Sequence, residues 1–433
     1  MTDALRPAPT AAERAGSGGV AATPRPHIPG DPGPVTAPVA VTTAGAGAGH
    51  VLQIFRDGSA RTKAEIGALT GLARSTVSAR VDTLVAAGLL IAAGEAESSG
   101  GRPPARLRLN GRARVVIAAE LGVTHGQVAV SDLFGTILTE ERSELLIADG
   151  PVPVLDWVIA AAHRQLAAAG HNTADVLGVG IGVPGPVEHA AGHPVAPPIM
   201  PGWDRFDIAG YVGTRLEAPV FVDNDVNLLA LGERAQEWPE VQDLVYVKVS
   251  TGVGAGIISG GDLRRGTQGA AGDLGHVRIP FDPESGREPT DERDLEALVG
   301  AAALGELLDD GPAAPRSRSA VVEIIRAGAD PVPAILHQAG RDVGAALATV
   351  VSLLNPSHIV VGGSIGAASP DLLAGVREIV EARSITLSSQ DLHIIPSRSG
   401  DRGGTLGAAQ MVLGYVLSPT SIDALTAETA SAV

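Results

Sequence analysis

The sequence contains no cysteine, so disulfide bonds and thiolate metal sites are both excluded. Lysine is almost absent as well, since it occurs only at Lys63 and Lys248, and aromatic residues make up 3% of the chain. No apolar run approaches the roughly 20 residues that cross a bilayer, and the N-terminus lacks the basic-then-apolar pattern of a secretory signal. We therefore expect a cytoplasmic protein that has no membrane partner.

Charge is distributed unevenly along the 433 residues. The formal net charge of −16 argues, for the chain as a whole, against a nucleic-acid partner. Residues 51–114, however, hold ten basic and five acidic residues, whereas residues 115–433 hold 19 basic and 40 acidic residues. A small basic module on a large acidic body is typical of a nucleic-acid-binding module joined to a domain that repels phosphate. The alternative interpretation is that the excess of basic residues in this short segment arose by chance.

Composition and periodicity divide the chain into four parts. Residues 1–47 are rich in Ala, Pro, Gly and Thr and are expected to form a disordered tail. Residues 48–112 show three short helical patterns and two short strands. Residues 113–417 contain hairpins followed by alternating helices and strands, twice over, which predicts two α/β lobes. Residues 418–433 are treated as a C-terminal tail.

The basic module has the pattern of a helix-turn-helix. Thr62 and Glu65 form a capping-box pattern at the start of a helix that Gly71 ends. The next helix is predicted over residues 73–87, with Val85 among its inward-facing residues. Two helices at this spacing, joined by a short glycine-containing turn, are typical of a DNA-binding helix-turn-helix.

Polar residues at the start of the predicted recognition helix are candidate DNA contacts. An arginine can hydrogen-bond to guanine, and hydroxyl groups can reach bases or phosphates in the major groove. Residues 100–104, between the two strands, hold a glycine-flanked arginine extended by proline, a shape suited to the minor groove. A solvated face of a three-helix bundle is the alternative interpretation. The DNA-binding candidates are Arg74, Ser75, Thr76, Ser78, Arg80, Gly101, Arg102 and Pro103.

An ordered set of motifs across residues 48–417 resembles the ROK family of repressors, open reading frames and sugar kinases. Each motif is weak alone, and the ordered set is specific. The motifs are Glu120-Leu-Gly-Val-Thr124, Gly182-Val-Pro-Gly-Pro186, Asp223-Asn-Asp-Val-Asn227, Ser250-Thr-Gly-Val-Gly-Ala-Gly256, Gly269-Ala-Ala-Gly-Asp-Leu-Gly-His276 and Val361-Gly-Gly-Ser364. The resemblance implies a winged helix-turn-helix followed by a two-lobed actin/hexokinase-like (ribonuclease H-like) α/β domain.

The resemblance also places ligand-binding side chains in the larger domain. Asp225 stands where similar kinases have a general base, here expected to be vestigial, and an N-capping role is the alternative. Asn224 offers both a donor and an acceptor to sugar hydroxyls. Asp273 and His276 stand where the family has a Glu and a His facing the sugar, although a lone His is usually structural. Glu296 stands at the position of a sugar-binding carboxylate.

Two departures from the family pattern argue against catalysis. The first phosphate loop has Glu120 in place of Asp and Val123 in place of Gly, and a β-branched side chain obstructs a backbone cradle for phosphate. The family's zinc-binding cysteines are also replaced. The residues at those three positions are Arg287, Pro289 and Asp294. Because Arg and Pro cannot ligate zinc, residues 282–294 are expected to form a metal-free loop, and we expect no metal, no cofactor and no catalytic residue.

The leading hypothesis is a transcriptional regulator of the repressor type, whose affinity for double-stranded DNA is set by a sugar or sugar derivative bound between the lobes. A homodimer or homotetramer would present two recognition helices to an inverted-repeat operator. One alternative is an ATP-dependent sugar kinase with an appended DNA-binding module, which Asp225 and residues 250–256 favour. Another is a constitutive DNA-binding protein whose pocket has decayed, which the retained Asn224 and His276 disfavour.

Overall fold

The computed structural model of the chain describes residues 47–95, 104–279, 294–308 and 318–431. The predicted N-terminal tail lies outside these ranges except at its last position. Five further residues singled out by the sequence also lie outside the described residues: Gly101, Arg102, Pro103, Arg287 and Pro289. In the described ranges, no helix is long and apolar enough to cross a membrane.

The N-terminal part of the described chain folds as three helices and a three-stranded sheet. Its elements are α1 (Ala48–Gln53), β1 (Arg61–Thr62), α2 (Lys63–Thr70), α3 (Arg74–Ala86), β2 (Leu90–Glu95) and β3 (Ala105–Leu109). Strand β3 lies between β1 and β2 and pairs antiparallel with both. The capping box at the start of α2 is present, because the Glu65 carboxylate accepts the Thr62 N–H at 2.7 Å and the Thr62 hydroxyl accepts the Glu65 N–H. The described part of this arrangement is consistent with the predicted winged helix-turn-helix.

Helix α3 buries only a narrow face against its neighbours. Val77, Val81 and Leu84 are buried, whereas Val85, predicted to face inward, is 42% exposed. Each helical residue turns the direction of the side chain by about 100°. Val85 lies about 40° further round the helix than Val81, at the edge of the buried stripe, and the inward prediction for Val85 is wrong.

The first lobe of the larger domain is built on a mixed five-stranded sheet. Its strands, with two short intervening ones, are β4 (Val115–Leu121), β5 (His125–Ser131), β6 (Ile137–Glu144), β7 (Val176–Val183), β8 (Val187–Glu188), β9 (His193–Pro194) and β10 (Val220–Asn224). The order across the sheet is β10-β7-β4-β5-β6, in which β10, β7 and β4 are parallel and β4, β5 and β6 form an antiparallel meander. Helices α4 (Pro151–Ala169) and α5 (Ile208–Leu216) share its hydrophobic core.

The second lobe repeats this plan. Its strands are β11 (Leu244–Val249), β12 (Val253–Ser259), β13 (Asp262–Leu263), β14 (His358–Gly362) and β15 (His393–Pro396), in the order β13-β12-β11-β14-β15. The helices between and after them are α7 (Leu295–Val299), α8 (Ala301–Leu307), α9 (Arg318–Ala327), α10 (Val332–Leu354), α11 (Gly363–Gly366), α12 (Pro370–Arg383) and α13 (Thr386–Ser389). The prediction of two α/β lobes is confirmed.

Two helices lie between the sheets and join the lobes. Helix α6 (Asp225–Glu237) follows β10 of the first lobe and packs on β11 and β12 of the second. Helix α14 (Gly403–Val416) follows the second lobe and packs on β4 and β7 of the first, and the two helices also pack against each other. The parallel strands of both sheets end towards this region, where side chains at the carboxyl ends of β10 and β11 meet.

The C-terminal segment is a helix and not the tail predicted for residues 418–433. Helix α15 (Pro419–Ser431) packs against α1 of the winged helix-turn-helix, and its Ile422 is fully buried. The sequence prediction failed because this segment carries few apolar residues, and a short helix of that kind is stabilised by docking more than by its own propensity.

Close backbone contacts hold α1 and α15 together. The Asp423 carboxylate accepts the Gly49 N–H at 2.8 Å, and the Gln53 side chain donates to the Leu417 carbonyl at 2.7 Å. Gly49 is required at this point, because a Cβ there would lie 2.1 Å from the Pro419 carbonyl oxygen. The N-terminal module and the larger domain share one hydrophobic cluster.

Replacing Asp423 by alanine removes the acceptor of the Gly49 N–H, and we expect the free energy of unfolding to fall by about 1 kcal/mol. Asp423→Asn is the matched control, since its amide oxygen can accept the same hydrogen bond. Urea unfolding followed by circular dichroism measures both variants. Equal losses in the two would contradict the assigned hydrogen bond.

Candidate functional site

A cleft of about 750 Å³ lies between the two lobes. Residues of both lobes line it, from the turn after β4 and the end of β10 in the first lobe and from the β11–β12 turn and α7 in the second. The structure brings together in this cleft all five ligand-binding candidates: Asn224, Asp225, Asp273, His276 and Glu296.

Asn224 and Asp225 stand at the carboxyl end of β10, where α6 begins. The Asn224 side chain accepts the Val226 N–H at 2.9 Å and donates to the Gly185 carbonyl at 2.7 Å. Asn224 is therefore the N-cap of α6. The alternative interpretation of Asp225 as the N-cap does not hold, and its carboxylate lies in the cleft instead.

Lys248 forms an ion pair with Asp225, and the sequence predictions did not include it. Its Nζ lies 2.5 Å from Asp225 Oδ2, and the Asp225 side chain is only 7% exposed. Lys248 belongs to β11, an otherwise apolar strand of the second lobe, so this contact joins the two lobes. One of only two lysines in the chain, placed inside a buried apolar strand, was the signal in the sequence that could have identified it.

Asp223, which directly precedes the cleft residues Asn224 and Asp225, is held by hydrogen bonds from two side chains. Its buried carboxylate accepts hydrogen bonds from Arg265 Nε at 2.6 Å and from the Asn227 side chain at 2.8 Å. The Arg265 carbonyl in turn accepts the Ala271 N–H at 2.9 Å, within the segment that leads to Asp273. A buried carboxylate is tolerated when it is paired and hydrogen-bonded in this way. Arg265 thus positions the glycine-rich segment, and the sequence predictions missed it.

The predicted sugar-side carboxylates and His276 lie on the second-lobe side of the cleft. Glu296 Oε2 accepts the Val253 N–H at 2.9 Å, so this carboxylate is bound to the second glycine-rich turn. His276 lies 3.4 Å from Asp294 and is largely exposed. The Asp273 carboxylate, with help from Asp294 and Glu296, raises the pKa of the His276 imidazole.

Glu120 lies at the end of β4, close to the first turn of α14. A Cβ placed on Gly404 would come within 2.3 Å of the Glu120 carboxyl carbon. Burial, followed by the nearby negative charge of Asp225, raises the pKa of Glu120 to about 7, while Lys248 and Arg142 oppose the increase. Val123 also lines the cleft, as expected from its position in the first glycine-containing turn.

The polar side chains of α3 form a candidate nucleic-acid interface. Arg74 and Ser75 are exposed, and Thr76 is half-buried. Ser78 is already engaged within the domain, because Lys63 Nζ donates to its hydroxyl at 2.9 Å. Arg80 is half-buried, and within the described residues its Nη1 has no hydrogen-bond partner.

A module of three helices and three strands, joined to a two-lobed domain with a polar inter-lobe cleft, fits the class predicted from the sequence, a sugar-kinase-like domain with an appended winged helix-turn-helix. Residues 116–414 match the ROK family, and the chain belongs to that family. The chain is similar to the xylose repressor of Caldicellulosiruptor bescii, with 27% identity over 381 residues that cover 85% of this chain and 95% of the relative.

Two solved structures resemble this fold. One, described as a ROK family transcriptional regulator and homologue of the E. coli MLC protein, has a TM-score of 0.73 and 23% identity, covering 88% of this chain and 98% of that chain. The other, a ROK hexokinase from Thermus thermophilus, has a TM-score of 0.57 and 27% identity, covering 68% of this chain and 97% of that chain. The hexokinase match is limited to about the extent of the larger domain.

The raised pKa of Glu120 predicts how stability depends on pH. The unfolded chain loses this proton near pH 4.5 and the folded protein near pH 7, so the free energy of unfolding falls as pH rises between these values and levels off above them. Glu120→Gln removes this dependence. We expect the Glu120→Gln variant to be more stable than the wild type at pH 8 by about 1–3 kcal/mol, where the lower value allows for screening by water in the cleft. The difference should vanish towards pH 4.

Thermal and urea unfolding between pH 4 and pH 8 measure this effect. Glu144→Gln, at the exposed end of β6, is the control for the same substitution on the surface. A stability difference between Glu120→Gln and the wild type that is constant with pH would show that the carboxyl group does not titrate in this interval.

Proposed function

We propose that this protein is a sugar-responsive transcriptional repressor. The observation that carries the proposal is the direct attachment of a winged helix-turn-helix, with exposed Arg74 and Ser75 on its recognition helix, to a domain whose cleft presents Asn224 and Asp225. The similarity to a protein named as a xylose repressor supports the same function. We propose a sugar or sugar derivative as the effector.

The DNA contacts that we propose are those of the recognition helix and the wing. Arg74, Ser75 and Thr76 would reach base edges and phosphates in the major groove, and Arg80 would add a phosphate contact. Ser78 would act mainly by fixing α2 against α3, given its bond to Lys63. The wing residues Gly101, Arg102 and Pro103 remain predicted minor-groove contacts.

The effector would bind between the lobes to Asn224, Asp225, Asp273, His276 and Glu296. Because both lobes contribute, binding would change the angle between them and, in a symmetric dimer, the separation of the two winged helices. An effector shifts the affinity for DNA only by the difference in its own affinity for the two lobe arrangements.

A sugar kinase is the second candidate function, favoured by the similarity of the larger domain to a ROK hexokinase and by the retained Asp225. Two contacts disfavour it. The Asp225 carboxylate is paired with Lys248, and a general base held in an ion pair accepts a proton less readily. Glu120 adds a second carboxylate where phosphate would have to bind. We therefore propose binding without phosphoryl transfer.

Arg74→Ala should weaken binding to operator DNA about fivefold or more and relax base preference in one half-site, because an arginine contact to a base is worth about 1–3 kcal/mol. The operator is first selected from random DNA, and binding is measured by fluorescence anisotropy. Arg164→Ala, at an exposed ion pair of the larger domain, is the control. The selected site should be an inverted repeat. Binding of a monomer to an asymmetric site would contradict the proposed assembly.

Asp225→Ala should abolish the sugar-dependent release of operator DNA, because the substitution removes the central carboxylate of the cleft. Release is measured with a panel of neutral sugars, and any active sugar is then incubated with the wild type and ATP to test for phosphorylation. Robust turnover would support the kinase, and an unaltered sugar response in the variant would show that the effector binds elsewhere.

A further inference from the structure

Carboxylates lie at both glycine-rich turns of the cleft. At the β11–β12 turn, Glu296 Oε2 accepts the Val253 N–H, and a Cβ on Gly252 would come within 2.5 Å of the same oxygen. Backbone N–H groups in such a turn are the donors that bind phosphate oxygens. A carboxylate of the protein has taken one of these donors, and it would repel a phosphate at this point.

The opposite side of the cleft also carries a carboxyl group. Glu120 places its carboxyl group against Gly404, in the first turn of the 14-residue helix α14. A helix N-terminus favours a negative charge. Above pH 7, where Glu120 is mostly ionised, its carboxylate would repel a phosphate that approached this helix.

Two of the three Lys and Arg side chains that line the cleft in the described part of the chain are paired with carboxylates. Lys248 pairs with Asp225 at 2.5 Å, and Arg142 pairs with Asp401 at 2.8 Å. Arg326 also lines the cleft, together with three further carboxylates. These are Glu120, Asp273 and Glu296. The fixed charges lining the cleft, with histidines neutral, therefore leave it acidic.

We propose that the cleft selects an uncharged, unphosphorylated sugar, and that Lys248 is the positioning residue that makes the Asp225 carboxylate a receptor for its hydroxyl groups. This inference rests on the proposed function, in which a sugar controls DNA binding. It adds to that function the chemical class of the effector, and it names Lys248 as a residue on which binding of the neutral sugar depends.

The ion pair suits a hydroxyl group better than a phosphate. Lys248 contacts Oδ2 of Asp225, so Oδ1 can accept a hydrogen bond from a sugar O–H. An ionised phosphate offers no proton to Asp225, and its charge is opposed by Glu120 and Glu296.

The selectivity test uses the full-length protein, isothermal titration calorimetry and matched probes. The probes are D-xylose, D-glucose and N-acetyl-D-glucosamine, each compared with its terminal phosphate ester, and pyrophosphate. We expect at least one neutral sugar to bind, with its phosphate ester at least 100-fold weaker and pyrophosphate undetectable. Binding of a phosphate ester or of pyrophosphate as tightly as the neutral sugars, or no binding of any neutral sugar, would overturn the inference.

Glu120→Gln tests the electrostatic part of this selection. At pH 8 the variant should bind pyrophosphate or the phosphate ester at least fivefold more tightly than the wild type. At pH 5.5, where the Glu120 carboxyl of the wild type is largely protonated, the difference should shrink. The other charged groups facing Glu120 are Asp225, Lys248, Arg142 and Asp401, and they are the same in both proteins. An unchanged preference at pH 8 would contradict the assigned role of this carboxylate.

A double-mutant cycle tests the role of Lys248. Lys248→Met should weaken binding of the neutral sugar more than tenfold, and Lys248→Arg should recover part of the loss because it restores a donor and a charge. If Lys248 acts through Asp225, the double variant Lys248→Met/Asp225→Asn should bind no more weakly than Asp225→Asn alone. Additive losses would overturn the positioning role. The exposed pair Arg164 and Glu141, changed to Met and Gln, is the matched control cycle.

Sugar binding and operator release are measured separately, so that a failure of the sugar selectivity can be told from a failure of the repressor function. A phosphate ester that binds tightly and releases the operator would overturn the selection of an uncharged sugar and leave the repressor function intact. A neutral sugar that binds with the expected preference but releases no DNA would leave the selectivity intact and contradict the proposed regulatory function.

Discussion

The carboxyl end of β10 is the point at which the two lobes are joined by charge, and the rest of the cleft depends on it. Three consecutive polar residues there have three different partners. Asp223 binds Arg265, Asn224 caps α6, and Asp225 pairs with Lys248 of the other lobe. Carboxylates with this little exposure are stable only when they are paired or hydrogen-bonded. Their pairing therefore fixes where β10, β11 and the glycine-rich segment can lie.

Helix α14 connects this centre to the DNA-binding module. Its first turn lies against Glu120 in the cleft, and near its last turn the Tyr415 hydroxyl bonds His189, which lies beside Asp223. Helix α15 follows α14 almost directly and docks on α1. Helix α1 thus contacts α15 and, through Leu417, the end of α14, the helix that begins at the cleft. In the proposed function, a change in lobe angle would have a short structural route to the proposed DNA-binding surface.

Much of this architecture could be predicted from the sequence, because its signals are local. The Thr62–Glu65 capping box, the alternation of apolar strands and helices, and the ordered glycine-rich motifs identified the fold class, and they indicated the side chains that the structure places in one cleft. The predictions failed where docking overrides local pattern. Val85 matched an apolar stripe but lies outside it, and α15 has little helical signal of its own.

The sequence by itself determined the order of the domains, their charges, the lack of any thiolate ligand, and the residue types at the end of β10. Only the tertiary structure decided what those residues do. It bound Asp223 to Arg265, paired Asp225 with Lys248, and turned Glu296 towards the Val253 N–H. The physical reason is the distance along the sequence over which each effect acts. Caps and periodicity depend on neighbours within a few residues, whereas the charge state and direction of a buried carboxylate are set by groups that the fold brings from distant strands.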